Sequence, residues 1–194
     1  MAAPSANRAG AVSPTTADHV VETLGEQVDL VVDGGPCPIG IESTVLDVSV
    51  DPPRILRPGG ATRAAIEAEI GEIAVAETAS PSEGEIRSPG RLVSHYAPAR
   101  PLRPDATSVA PDEALLAFGP RPLEGAARTL NLSPRGDVRE AAANLFAMMR
   151  DLDRPEFRTI AVMPIPTEGL GEAIRDRLTR AAAPRDGHPP SDIE

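Results

Sequence analysis

Residues 113–118 (EALLAF), 127–132 (ARTLNL), 138–152 (VREAAANLFAMMRDL) and 159–163 (TIAVM) alternate short apolar runs with one long helical period. The three short runs read as strands. Over 138–152, Ala142, Leu145, Phe146, Met149 and Leu152 fall on one face, which marks an amphipathic helix. Ser133-Pro134-Arg135-Gly136-Asp137 leads into it. Residues 169–183 predict a second helix, with Ile174 and Leu178 inward and Arg175, Arg177 and Arg180 mostly outward. Strands alternating with helices predict a small α/β layer over this part of the chain.

Before this layer the pattern breaks. From about Glu77 to Pro98 the text is ETASPSEGEIRSPGRLVSHYAP, rich in Ser, Pro, Gly and Glu, and reads as a linker. A long ordered linker is often functional. The first segment is again mixed. Residues 17–25 read as a helix, with Asp18 or Thr16 as the candidate cap and Gly25 as the stop. Val28–Val32 reads as a short strand ending in the turn Asp33-Gly34-Gly35. Thr44–Val50 alternates like a strand, and Arg54–Leu56 is another, ending at Arg57-Pro58-Gly59-Gly60. Residues 62–70 predict a helix and Ile73–Ala76 a last strand.

The 194 residues leave room for one domain or two small ones, and 41% hydrophobic content argues against global disorder. Aromatics reach only 2%, so the cores are built from Ala, Val, Leu and Ile. The net charge is −10, a poor balance for general nucleic-acid binding. All 19 basic residues are Arg, which fits a base-composition bias and gives every cation a planar fork. Arg87, Arg91, Arg100 and Arg103 cluster in sequence, as a local basic patch or as a solvated linker. The single cysteine, Cys37, rules out an internal disulfide framework and fits a reducing cytoplasm. The sequence shows no signal peptide and no apolar run long enough to span a membrane.

The candidate chemistry lies mostly in the first segment. Ser5 and Asn7, two apart in Ala3-Pro4-Ser5-Ala6-Asn7, would share a face of an extended strand. They suit a nucleotide phosphate or sugar, or ordinary turn chemistry. Ser13-Pro14-Thr15-Thr16 is foremost a capping signal, at a helix start that also suits an anion. Glu42-Ser43-Thr44 follows a Gly/Pro-punctuated loop and is placed to line a pocket. Cys37 in that loop reads as a small buried thiol rather than a nucleophile. Arg57, fixed by Pro58, presents a fork to phosphate or carboxylate, or makes a surface salt bridge. His95 and Tyr96 suit a lid over a ligand, or an anchor that docks the linker. No Cys/His metal spacing, P-loop lysine motif or Ser/His/Asp grouping is present.

Six stretches together carry a resemblance: APSANRAGAVSPTTADHV, VDGGPCPIGIESTVLD, ILRPGGAT, SPGRLVSHYAP, LSPRGDVREAAANLF and GLGEAIRDRLTRAAA. In order and spacing they resemble the long two-domain form of the YrdC-like family, L-threonylcarbamoyladenylate synthase. The resemblance implies an α/β fold: the C-terminal part of a YrdC-like twisted-sheet domain (1–76), a Pro/Gly-rich linker or lid (77–98) and a small Rossmann-like domain (99–183). A disordered tail (184–194) is expected to follow. The implied reaction joins ATP, L-threonine and bicarbonate into threonylcarbamoyl-AMP and pyrophosphate, with Mg²⁺ assisting, for the threonylcarbamoyladenosine modification of tRNA. Ser5, Asn7, Ser13, Arg57, His95 and Tyr96 would contact ATP; Ala3 and Ser43 would hold L-threonine. Implied partners are the tRNA pathway enzymes that use threonylcarbamoyl-AMP and, as a candidate, double-stranded RNA, with no membrane. In this family a substantial segment carrying a lysine-containing basic motif precedes the APSAN stretch. The expectation is therefore a catalytic domain lacking its N-terminal part. The competing reading is a non-catalytic nucleotide-, threonine- or RNA-binding remnant, or a partner subunit.

Overall fold

The computed structural model describes residues 4–74 and 94–184. The expected linker falls outside the described residues up to position 93, as does the expected tail from 185. Among the described residues four α-helices and six strands follow in chain order, with a short 3-10 turn at Gly25–Gln27 after the first helix: α1 (Ala17–Leu24), β1 (Val45–Asp47), β2 (Arg54–Arg57), α2 (Arg63–Ile70), β3 (Leu102–Arg103), β4 (Ala114–Ala117), β5 (Arg128–Asn131), α3 (Val138–Leu152), β6 (Ile160–Val162) and α4 (Leu170–Ala182). The fold is mixed α/β with a parallel sheet of order β3-β6-β4-β5. No described helix is long and apolar enough to cross a membrane.

The sheet is parallel because each strand needs a crossover before the next, and the chain supplies α3 or long loops there. Strands β4 and β6 are buried throughout, as central parallel strands should be. Their side chains still divide by period 2. Leu116, Ala114, Ile160 and Val162 join the core with α3 and α4. Leu115, Ala117 and Ala161 face the opposite side, packed with Val109, Leu123 and Met163.

Helix α3 starts where Asp137 accepts the amides of Arg139 (2.7 Å) and Glu140 (3.3 Å). It buries the predicted stripe plus Ala141. Helix α4 buries Leu170, Ala173, Ile174, Leu178 and Ala181, and also Arg177, which the charge pattern had placed mostly outward. Strand β3 had no signal of its own: two residues are too few for a period.

The first segment is thinner. Strands β1 and β2 pair antiparallel, with Val45 opposite Arg57. Ala74 makes a single parallel bridge to Arg54, so the expected last strand is reduced to one residue among the described ones. Helix α1 is capped by Thr16, not Asp18, through the His19 amide at 3.3 Å. Neither α1 nor α2 has a buried residue. The expected strand at Val28–Val32 is absent: the stretch runs with no ladder beside it, and Leu30 (76%) and Val32 (82%) are exposed. An apolar run becomes a strand only where a neighbour takes its hydrogen bonds. The segment is held instead by docking on the helices. Val12 and Ile41 of this segment, together with Tyr96 of the 94–98 stretch, are buried in the α3–α4 core.

Candidate functional site

Four loops converge on the outer face of α3 and α4. Residues 4–16 and 37–42 face each other across a cavity of about 240 Å³ lined by Ser5, Ser13, Thr15, Cys37, Glu42 and Phe146, among others. Loop 57–61 lies behind 42–44: the Gly60 amide donates to the Glu42 carbonyl at 3.0 Å, and the Thr44 hydroxyl to the Ala61 carbonyl at 2.5 Å. Gly59 has no room for a Cβ against the Glu42 carbonyl and Ser43 backbone, so a glycine is required for this approach. Residues 94–98 close the group, with Ala97 donating to the Gly10 carbonyl at 2.9 Å.

Ser5 lines the cavity. Asn7 does not share an extended face with it, because the Asn7 amide turns back onto the Ser5 carbonyl at 3.0 Å. The Asn7 side-chain amide donates to the carbonyls of Arg8 (3.0 Å) and Ala11 (3.1 Å), a local fastening of the turn. Ser13 is buried and donates to Glu42 Oε1 at 2.6 Å. Ser43 is exposed at the entry to β1. Its carbonyl accepts from Arg57 Nη2 at 2.8 Å, and Arg57 is buried rather than at the surface. Antiparallel pairing of β1 and β2 is what makes Ser43 and Arg57 neighbours. Ala3 lies outside the described residues. Cys37 is exposed, not buried as expected, because loop 34–39 rides on the surface. Of the four clustered arginines, Arg103 is committed to Glu113 at 2.7 Å, while Arg87 and Arg91 lie outside the described residues.

Tyr96 is only 1% exposed and adopts φ of 60°. Its ring stacks on Phe146 at 5.6 Å, meets His95 at 4.0 Å and lies 5.0 Å below the Arg177 guanidinium carbon. The His95 amide donates to the Arg180 carbonyl at 3.2 Å. The His95–Tyr96 pair therefore anchors its segment between the first segment and α4. Burial raises the Tyr96 phenol above its ordinary value, so it stays neutral.

Arg177 is the residue the sequence reading missed. It donates to Glu42 Oε2 (2.8 Å), Asp176 Oδ2 (2.5 Å) and the Pro58 carbonyl (3.1 Å). The signal was present in the spacing: position 177 falls between the inward 174, 178 and 181 on one helical stripe.

Burial holds His95 below its ordinary pKa of 6.5, with Arg177, Arg180 and Arg57 adding repulsion that Glu42 partly offsets. His19 is lowered too, by burial first and then by Arg150. An imidazole with a depressed folded pKa takes its proton in the unfolded chain first. Stability therefore falls as pH drops below about 6.5 toward the folded values. Melting temperature is expected to decline from pH 7 to 5.5, and less so in His19→Gln/His95→Gln. A flat wild-type profile over that range would contradict this linkage.

Residues 61–183 match the family described as threonylcarbamoyl-AMP synthase, C-terminal domain. Residues 1–59 match the family described as telomere recombination. The threonylcarbamoyl-AMP synthase of Bacillus subtilis is 36% identical, covering 95% of this chain and 58% of that protein. That of Pyrococcus abyssi is 34% identical with the same coverages, 95% and 58%. That of Schizosaccharomyces pombe is 31% identical, covering 94% and 52%. The crystal structure of P. abyssi Sua5 complexed with L-threonine matches with a TM-score of 0.79 and 31% identity, over 92% of this chain and 56% of that one. A P. abyssi Sua5 variant with an adjacent His and Tyr replaced by Ala matches with a TM-score of 0.76 and 30% identity, over 92% and 56%. The chain thus spans a little over half the length of these relatives. The first match takes in the whole parallel sheet with α3 and α4, more than half of the residues, and so the chain belongs to the threonylcarbamoyl-AMP synthase C-terminal domain family.

Proposed function

We propose that this chain acts in L-threonylcarbamoyladenylate synthesis: ATP, L-threonine and bicarbonate give threonylcarbamoyl-AMP and pyrophosphate, which serves tRNA modification. The observation that carries the reading is the likeness, over 92% of this chain, to a relative solved with L-threonine. In this reading Ser43 and Ala3 hold threonine, and Ser5, Asn7, Ser13, Arg57, His95 and Tyr96 serve the nucleotide. Residues 1–76 belong to the catalytic domain, 77–98 to a linker, and 99–183 to a small Rossmann-like domain. The chemistry asked of these residues is positioning and charge stabilisation, not covalent catalysis. Arg57 brings positive charge to the loop that carries Ser43, where the carboxylate of threonine and the phosphates of ATP would meet. Among the described residues no His, Cys, Asp and Glu side chains gather into a metal site, so Mg²⁺ is proposed to enter with ATP as the MgATP substrate.

A second reading, a binding subunit that shares its site with another chain, is favoured by one feature. Every large exposed hydrophobic among the described residues, from Val21 to Ile70, lies in the first segment. The test is calorimetric titration of L-threonine and MgATP, with pyrophosphate release measured in the presence of bicarbonate. Threonine-dependent release, with threonine affinity reduced at least tenfold in Ser43→Ala, is the expected result. Binding without release selects the second reading. Failure to bind either ligand removes the first reading and leaves only a subunit whose site another chain must complete.

A further inference from the structure

Two arginines from the far helices hold the loops that carry Ser13, Ser43 and Arg57. Arg177 of α4 is fully buried, at 0% exposure. Its Nε donates to Glu42 Oε2 at 2.8 Å and its Nη2 to the Pro58 carbonyl at 3.1 Å. Glu42 precedes Ser43 and Pro58 follows Arg57. The other oxygen of Glu42 accepts the Ser13 hydroxyl at 2.6 Å. Arg150 of α3 supports the same loop from below, donating to the Val12 carbonyl at 2.8 Å and the Thr23 hydroxyl at 3.1 Å.

We propose that Arg177 is a positioning residue: from the second structural unit it sets the spacing of the Ser43 and Arg57 loops, so ligand affinity at that site depends on helix α4. This rests on the function proposed above. The planar guanidinium reaches both loops at once in fixed directions, which a lysine ammonium would not do. Asp176 and the Tyr96 ring fix the orientation of the fork by holding Nη1 and one face of the plane. The guanidinium is fully buried from bulk solvent, so a lost hydrogen bond there is not readily replaced. Removing a buried ion pair as a pair often leaves stability little changed. Loop spacing and overall stability can therefore be separated by experiment.

The experiment compares wild type, Arg177→Lys, Arg177→Met and Arg177→Met/Glu42→Gln by amide hydrogen exchange and by titration with L-threonine and MgATP. In Arg177→Met the Gly60 amide, bonded to the Glu42 carbonyl, is expected to exchange at least tenfold faster, while the amides of Ala114–Ala117 keep their rates. Threonine affinity is expected to fall at least tenfold, with Arg177→Lys between this and wild type. Should Arg177→Met not fold, the double variant carries the same expectation. Exchange that rises by one factor everywhere overturns the proposal, since Arg177 would then act on global stability alone. Wild type that binds, with variants of unchanged affinity, overturns this role but leaves the proposed function standing. Wild type that binds neither ligand overturns the proposed function and this role with it.

Discussion

Gly40→Ala is expected to lift the first segment off α3, at a cost of about 2–5 kcal/mol. Two penalties combine. Gly40 has φ of 70°, a conformation that strains any residue with a Cβ. The new Cβ would also sit 2.5 Å from the Ala142 carbonyl oxygen and 2.6 Å from the Ala143 Cα. Both are backbone atoms of a helix whose other side is packed in the core, so no side chain can rotate away. Gly35→Ala is the control. It has φ of 83° but nothing within 4 Å, so only the conformational penalty applies, about 1–2 kcal/mol. The difference between the two denaturant midpoints isolates the close approach. Equal losses would mean that the loop does not rest on α3.

Tyr96→Ala and Tyr96→Phe are expected to part company. The ring fills the space between Phe146, His95 and the Arg177 guanidinium, and truncation there costs about 3–5 kcal/mol. The hydroxyl, by contrast, is buried with no hydrogen-bond partner among the described residues. Removing it leaves stability unchanged or raises it by about 1 kcal/mol. Calorimetric melting of the two variants measures this. A Phe variant as weak as the Ala variant would show that the phenol oxygen, not the ring, holds the segment. A lid that opened freely would show little loss on truncation, so the same measurement bears on whether the pair moves.

The second half of the chain was legible because its elements are locally complete. The stripe Ala142, Leu145, Phe146, Met149, Leu152 repeats at the helical period, and Asp137 supplies a cap at its start. Strands β4, β5 and β6 fell within the predicted runs. The first segment was less legible because its order comes from contacts distant in sequence. Val28–Val32 has strand composition but no ladder, and the loops at 4–16 and 33–44 are shaped by α3 and α4. Local composition was also a poor guide to burial. Cys37, apolar in character, is exposed, while Arg177 is buried. The burial of Arg177 follows from a partner, Glu42, more than a hundred residues away, and the exposure of Cys37 from a loop that rides on the surface. Motifs could single out Ser13, Ser43 and Arg57; only the structure shows that one carboxylate and one guanidinium tie their loops together.

The strand order has a consequence for how the molecule is made. Strand β6, the last among the described residues, lies between β3 and β4. Leu102 therefore has no ladder partner until Ile160 has been synthesised. Arg177 follows later still. A nascent chain leaving the ribosome cannot zip its sheet in order, and Tyr96 and Phe146 lack their full cover until α4 and Arg177 have been made. Non-local pairing of this kind slows folding and leaves apolar surface open to misassembly meanwhile. Synthesis stalled before Ile160 should yield a ribosome-bound chain that chaperones hold and proteases cut. Sheet, anchor and front loops can all be closed only after α4 has been made.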